Sequence, residues 1–179
     1  VKELPFFWKP FYSFPAAVIG ALLVPMAFAL VFGFFAFRSR IKGVYFAIIT
    51  QALALAAWLV FNRNDTNLGG TNGLTDFKQV LGYRLSEPGT QRALYVITVL
   101  CLGATYLLCR WIIRSRAGRV LVAVRDSEKR VVFSGYTPPS YKLFVFVVSA
   151  GLAGLAGLLY APQVGIITPA QIGVLPSLE

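Results

Sequence analysis

The sequence predicts an all-α, polytopic membrane protein with four transmembrane helices and an amphipathic helix on the cytoplasmic side. Three observations predict it. Apolar residues make up 57% of the 179 and charged residues only 13%, against about 45–50% and about 25% in ordinary soluble domains. The apolar residues gather in four runs of bilayer length, since roughly 20 residues of helix cross a hydrocarbon core of about 30 Å. The basic residues gather between the runs, in alternate loops. A chain this rich in aliphatic and aromatic side chains is not disordered, and 16 Gly, 10 Pro and 2 Cys exclude collagen-like and disulfide-scaffold chains.

The first span is expected at 14–37, with Pro15 suited to a first turn and Pro25 expected to kink the helix near mid-membrane. The second is expected at 44–61, with Thr50 and Gln51 as its polar groups. Polar residues at membrane depth face the protein interior or a water-filled path. Gln51 is therefore a candidate pathway residue, with a buried interhelical hydrogen bond as its plainer reading. The third span, at 93–113, holds Arg110 near one end, where its head can snorkel to the interface. Cys101 and Cys109, eight residues apart, are separated by about 12 Å of helical rise, too far for a disulfide. The fourth span, at 143–161, carries small residues four apart: Ala150 and Gly154, Ala153 and Gly157, Gly157 and Ala161. Such ridges let helix backbones approach closely in lipid. β-Barrel strands would be about ten residues long and alternate in polarity; these runs are longer and apolar on every face.

The net charge of +10 is a topology signal before it is a nucleic-acid signal. Ten of the 17 basic residues lie at 38–42 and 114–142, the two loops that four consecutive spans put on one side. By the positive-inside rule that side is cytoplasmic, and the 62–92 loop and both ends of the chain are outside. The outer loop is polar and Gly-rich, and its Gly69-Gly70-Thr71-Asn72-Gly73 stretch allows tight turns. Thr71 and Asn72 there offer neutral hydrogen-bonding groups to a neutral polar solute, with a simple turn as the plainer reading.

The 114–142 loop is too patterned to be a tether. From Gly118 to Phe133 the residues suit one amphipathic helix, with Val120, Leu121, Val124, Val131 and Val132 on one face. Arg125, Asp126, Glu128, Lys129 and Arg130 form the other face, with Asp126 and Arg130 as an i,i+4 pair. Gly135 is expected to end the helix in the left-handed region, and Pro138 and Pro139 to break the chain before the fourth span. Two readings of this helix stand side by side: a basic helix on anionic headgroups, and a docking helix for a cytoplasmic partner.

The segment SRAGRVLVAVRDSE, followed by Gly135 seven residues after Glu128, resembles the cytoplasmic signature of ABC-transporter permeases. GVYFAIITQALA at 43–54, NLGGTNGLTDF at 67–77 and YKLFVFVVSAGLAGLAGLLYA at 141–161 resemble the permeases for branched-chain amino acids and urea, and FSGYTPPSYKLFVFV looks closest to the urea branch. The resemblance covers nearly all of residues 38–170. Lys129 and Arg130 stand where small residues usually follow the Glu, which makes the docking face more basic. The resemblance implies that the 118–136 region is a coupling helix, with Arg125, Asp126, Glu128 and Gly135 in its contact with an ATP-binding subunit. It implies further partners: a second homologous permease subunit and a periplasmic substrate-binding protein. ATP and magnesium would be held by the partner subunits, with no cofactor in this chain. It also implies residence in the bacterial inner membrane, with 114–142 cytoplasmic and 62–92 periplasmic.

The absence of His and of any paired carboxylates or metal-ligand cluster gives this chain no catalytic residues and no metal site. The expectation is a transport subunit that moves urea or short amides, not an enzyme. The alternatives are a branched-chain amino acid importer permease, a passive small-solute channel, and a membrane scaffold. The chain starts at Val1 without an initiator Met and stops after a Pro-rich stretch. With the longer chains of the family, that reads as an incomplete piece of one transmembrane permease domain over 1–179.

Overall fold

The computed structural model describes residues 14–39, 43–62, 79–80, 83–84 and 87–165. Six helices follow one another among them: α1 (Phe14–Arg38), α2 (Val44–Asn62), α3 (Pro88–Arg114), α4 (Arg116–Asp126), α5 (Glu128–Phe133) and α6 (Pro138–Val164). Between α2 and α3 the strands β1 (Gln79–Val80) and β2 (Tyr83–Arg84) pair antiparallel, Gln79 opposite Arg84. Among the described residues the fold is all-α apart from this two-residue ladder. Three helices are long and apolar enough to cross a membrane: α1, α3 and α6; α2 has a shorter apolar stretch, Val44–Val60.

The helices outrun the apolar runs because caps, rather than hydropathy, set their ends. α3 starts at Pro88, five residues before the expected span. Proline at a first helical position sacrifices only a donor that has no partner there. α6 likewise starts at Pro138, so the expected proline break falls at Thr137 and the prolines themselves open the helix. α1 runs through Pro25 without interruption.

The chain divides into two compact units. One comprises Ile19–Arg40 with Arg92–Gly157; the other contains α2, the β1–β2 hairpin and the last turns of α6. In the first unit α1 and α6 pack antiparallel. A Cβ added at Gly33 would meet Leu143 Cδ1 at 2.8 Å and Phe146 Cδ1 at 2.9 Å, and one at Gly151 would meet Met26 Sδ at 2.9 Å. One at Gly154 would run into the Ala21 carbonyl oxygen and lie 3.2 Å from Pro25 Cγ. As the number rises on α1 it falls on α6, which fixes the antiparallel sense. Gly33 lies with Ala29 and Ala36 on one buried stripe of α1, a small-residue ridge of the kind that brings helices together in lipid. Phe146 then fills the end of the seam beside the last turn of α1, its ring centroid 5.8 Å from Phe37 and 6.3 Å from Phe32.

The Ala21 oxygen at this crossing has a specific origin. Proline has no N–H, so Pro25 cannot donate to the carbonyl four residues earlier, which is that of Ala21. In a bilayer core no water compensates such a group. Gly154 packs against it instead, where an added Cβ would overlap the oxygen and only a bare α-carbon fits.

Among the described residues the buried apolar side chains are only Ala29, Ala36, Val124, Val131 and Pro138, and none of the polar ones is buried. α3 buries none of its residues. In water so much exposed apolar surface would drive aggregation; in lipid it is the expected finish. Replacing Gly154 with Leu should therefore destabilise the protein by about 1–3 kcal/mol through overpacking against backbone. Gly157→Leu, where an added Cβ meets nothing within 4 Å, should stay within about 0.5 kcal/mol. Thermal unfolding of the two variants in detergent checks the contrast.

Candidate functional site

The site is built where α3 ends. Ser115 closes α3 and opens α4 at once. Its N–H donates to Trp111 O and Ile112 O, both at 3.1 Å; its Oγ donates to Ile112 O at 2.6 Å and accepts from Gly118 N at 3.2 Å. That last bond is a standard N-cap, worth about 1 kcal/mol. The turn folds so tightly that a Cβ on residue 118 would collide with the carbonyl oxygens of Ile112 and Ile113. Only glycine fits there, which explains Ser115 and Gly118 in the SRAG segment.

One helix over 118–133 was expected; two are present. Ser127 adopts φ −160° and ψ 97°, an extended conformation that ends α4 and starts α5. Its N–H still reaches Ala123 O at 2.9 Å and its carbonyl accepts from Val131 N at 3.3 Å. The break removes the i,i+4 geometry, so the expected Asp126–Arg130 pair does not form. Asp126 Oδ1 is held by Arg125 Nε at 3.2 Å, both side chains exposed. Glu128 Oε1 meets Lys142 Nζ on α6 at 3.0 Å, with the two side chains only 26% and 32% exposed.

This partly sheltered pair ties the first residue of α5 to the second turn of α6. Lys142 is the site residue that sequence reasoning counted only as loop charge. No sequence signal singled it out, because Arg125, Lys129 and Arg130 all lie closer to Glu128 along the chain.

α5 ends as expected at Gly135. Its φ of +84° lies in the left-handed region that a Cβ disfavours. Gly135 N donates to Val132 O at 3.0 Å and Tyr136 N to Val131 O at 3.3 Å, the double closure of a Schellman motif. Just before it Phe133 stands 91% exposed, beside the exposed Val132. Of the buried valines Val124 belongs to α4 and Val131 to α5, so each short helix turns one apolar residue inward.

Leu121, Val124, Arg125 and Glu128 line a cleft of about 690 Å³ with Phe37 of α1 and Lys142, Val145, Phe146 and Ser149 of α6. A groove of about 740 Å³ adjoins that cleft, with Asp126 and Ser127 lining both. Phe37 and Lys142 on one cleft put the basic end of α1 and the α4–α5 segment at the same end of the unit, as the loop charges require.

The remaining expected site residues are apart from this cluster. Gln51 lies on α2, exposed, and its neighbour Thr50 donates its hydroxyl to Ala47 O at 2.8 Å. Ala150 is half-buried on α6 and Gly154 touches α1, whereas Gly157 has no such neighbour. Thr71 and Asn72 lie outside the described residues. Cys101 and Cys109 are free thiols, and no group of three metal-ligating side chains occurs among the described residues.

Three apolar helices of spanning length and a capped, broken helix pair between the last two meet a family model described as "Branched-chain amino acid transport system / permease component", matched over residues 6–179. The chain belongs to this permease family. Relatives include the high-affinity branched-chain amino acid transport system permease proteins LivM of Salmonella typhimurium and of Escherichia coli. Each is 25% identical over 152 residues, covering 73% of this chain and 36% of the relative. The chain thus spans about a third of the length of the curated relatives it matches. No solved structure matches it. The family and both relatives are permease components of transport systems rather than enzymes.

If Glu128 and Lys142 hold α5 to α6, a double-mutant cycle of Glu128→Gln and Lys142→Gln should return a coupling of about 1 kcal/mol. That is the upper end for exposed pairs, fitting one that is two-thirds sheltered. The same thermal melts measure it, and an additive pair of substitutions would show the contact to be idle.

Proposed function

We propose that the chain is part of a permease subunit of an ATP-driven importer in the bacterial inner membrane, with urea or a short amide as its solute. In this reading α2 is a fourth crossing, the 62–92 loop is periplasmic and the 114–142 loop cytoplasmic. A periplasmic binding protein delivers the solute, a second permease subunit completes the pathway, and ATP with magnesium is bound by cytoplasmic partner subunits.

The observation that supports it best is the α4–α5 segment. It is fixed to the end of α3 by the Ser115 cap and to α6 by the Glu128–Lys142 pair. It offers Phe133 bare at its tip. An apolar side chain left open on a rigid, charged rim is the form of an interface anchor. The Arg125–Asp126 pair and Glu128 would then flank the contact with the ATP-binding subunit, and the left-handed Gly135 would return the chain to α6. Movement of that subunit would reach the membrane through α3 and α6, as rocking of helical bundles about a central site.

The solute is argued from chemistry. The neutral polar groups singled out in the sequence, Gln51, Thr71 and Asn72, suit a neutral hydrogen-bonding molecule. A second reading, a branched-chain amino acid as solute, is favoured by the names of both curated relatives.

Uptake of labelled urea and labelled leucine, each competed by the other, in cells with and without the full-length gene separates the two. Urea uptake that depends on the gene and on ATP is expected. Leucine uptake competed by other branched-chain amino acids would favour the second reading, and flux without ATP would indicate a channel. In the same cells Gly135→Pro or Glu128→Lys should abolish uptake while ATP hydrolysis by the assembled transporter continues. Normal uptake in both variants would remove the docking role.

A further inference from the structure

The bases on α4 and α5 outnumber the acids that could neutralise them. The two carboxylates of these helices are engaged: Asp126 by Arg125 and Glu128 by Lys142. Arg116, Arg119 and Arg130 make no ion pair among the described residues, yet all three line the same groove of about 740 Å³. Asp126, the carboxylate on that lining, is the one already held by Arg125. Three arginines on the lining of one concave surface leave a positive charge that an external anion would complement.

The rest of the lining narrows the kind of anion. Ser127 brings a hydroxyl that caps no helix. Tyr136 and Tyr141, both on the lining, stand edge to face with centroids 6.2 Å apart. The groove is therefore basic at one part and aromatic at another. Its place in the chain matters as much. Arg116 follows the end of α3 by two residues and Tyr141 lies in the first turn of α6, and both helices are long and apolar enough to span a bilayer. The groove thus opens at the level where hydrocarbon gives way to headgroups, where tyrosines concentrate and basic pockets meet anionic lipid.

We propose that this groove holds the phosphate of an anionic phospholipid, gripped by Arg116, Arg119 and Arg130, with the tyrosine pair against its glycerol. The site adjoins the cleft that contains Glu128 and Lys142, with Asp126 and Ser127 on both linings. It requires only that α3 and α6 stand in a membrane, and not any particular solute.

The test uses the full-length permease in its purified complex, in mixed micelles of phosphatidylglycerol and phosphatidylcholine, with retained lipid counted by native mass spectrometry. Preferential retention of phosphatidylglycerol is expected. Arg116→Gln, Arg119→Gln and Arg130→Gln should each weaken it about fivefold, the effect of one basic residue near an anionic surface. The triple Arg→Lys variant should keep most of the preference, and Lys129→Gln, on α5 but off the lining, all of it. Equal retention of the two lipids overturns the proposal, as does a triple Gln variant that binds like the parent. Displacement of the lipid by an equal concentration of inorganic phosphate would assign the groove to a free anion and also overturn it. So would loss of a protein subunit from the Gln variants with lipid retention unchanged, which would mark the groove as a protein contact.

Discussion

The close antiparallel approach of α1 and α6 is the constraint on which the described unit rests. It exists because Gly33, Gly151 and Gly154 lack the Cβ atoms that would strike Leu143, Phe146, Met26 and the Ala21 carbonyl. In lipid no hydrophobic effect drives helices together, so shape and close polar contact must do it. Pro25 adds to this by freeing a carbonyl at the crossing itself. The seam then sets Phe37 beside Phe146, and with it the cleft against which α4 and the start of α5 lie.

The segment between α3 and α6 is a series of stops. Ser115 with Gly118 makes the first, extended Ser127 the second, and left-handed Gly135 the third. Each is a local backbone event, and each is only one or two residues long. Their result is that α4 and α5 are short, separately oriented and individually anchored, rather than one helix lying loose on the membrane surface. A segment of this construction has a defined position relative to the helices on either side of it, which a docking element needs and a tether does not.

Much of this was legible in the sequence, and the rest failed for identifiable reasons. The spans were readable because hydropathy over about 20 residues is a strong signal; their ends were not, because Pro88 and Thr137-Pro138 extend the helices past the apolar stretch. Gly135 was readable since a glycine after an amphipathic run has few other uses. The break at Ser127 was not: its side chain makes no cap bond, so nothing in the local chemistry marks it, and helical periodicity ran straight across. The Glu128–Lys142 pair depended on that break and was hidden with it. On α6 the small residues were found, but which of them meets a neighbour is a property of the partner helix. Gly154 and Gly151 face α1, Gly157 does not, and the matching ridge of Ala29, Gly33 and Ala36 on α1 went unread beside more conspicuous glycines. The outer-loop residues Thr71 and Asn72 keep only their sequence argument.

α6 is one unbroken helix from Pro138 to Val164, and it connects two of these contacts. Lys142 grips Glu128 near one end; Gly154 sits on the Ala21 carbonyl further along. Twelve residues separate them, about 18 Å at the rise of an α-helix. A helix resists compression along its axis far more than a loop does, so the distance between the two contacts is set by the helix itself. The α5 contact and the α1 crossing are therefore held at one fixed spacing along a single rigid element. A side chain larger than glycine at residue 154 would push α6 off α1 and shift the Lys142 end of the same helix with it.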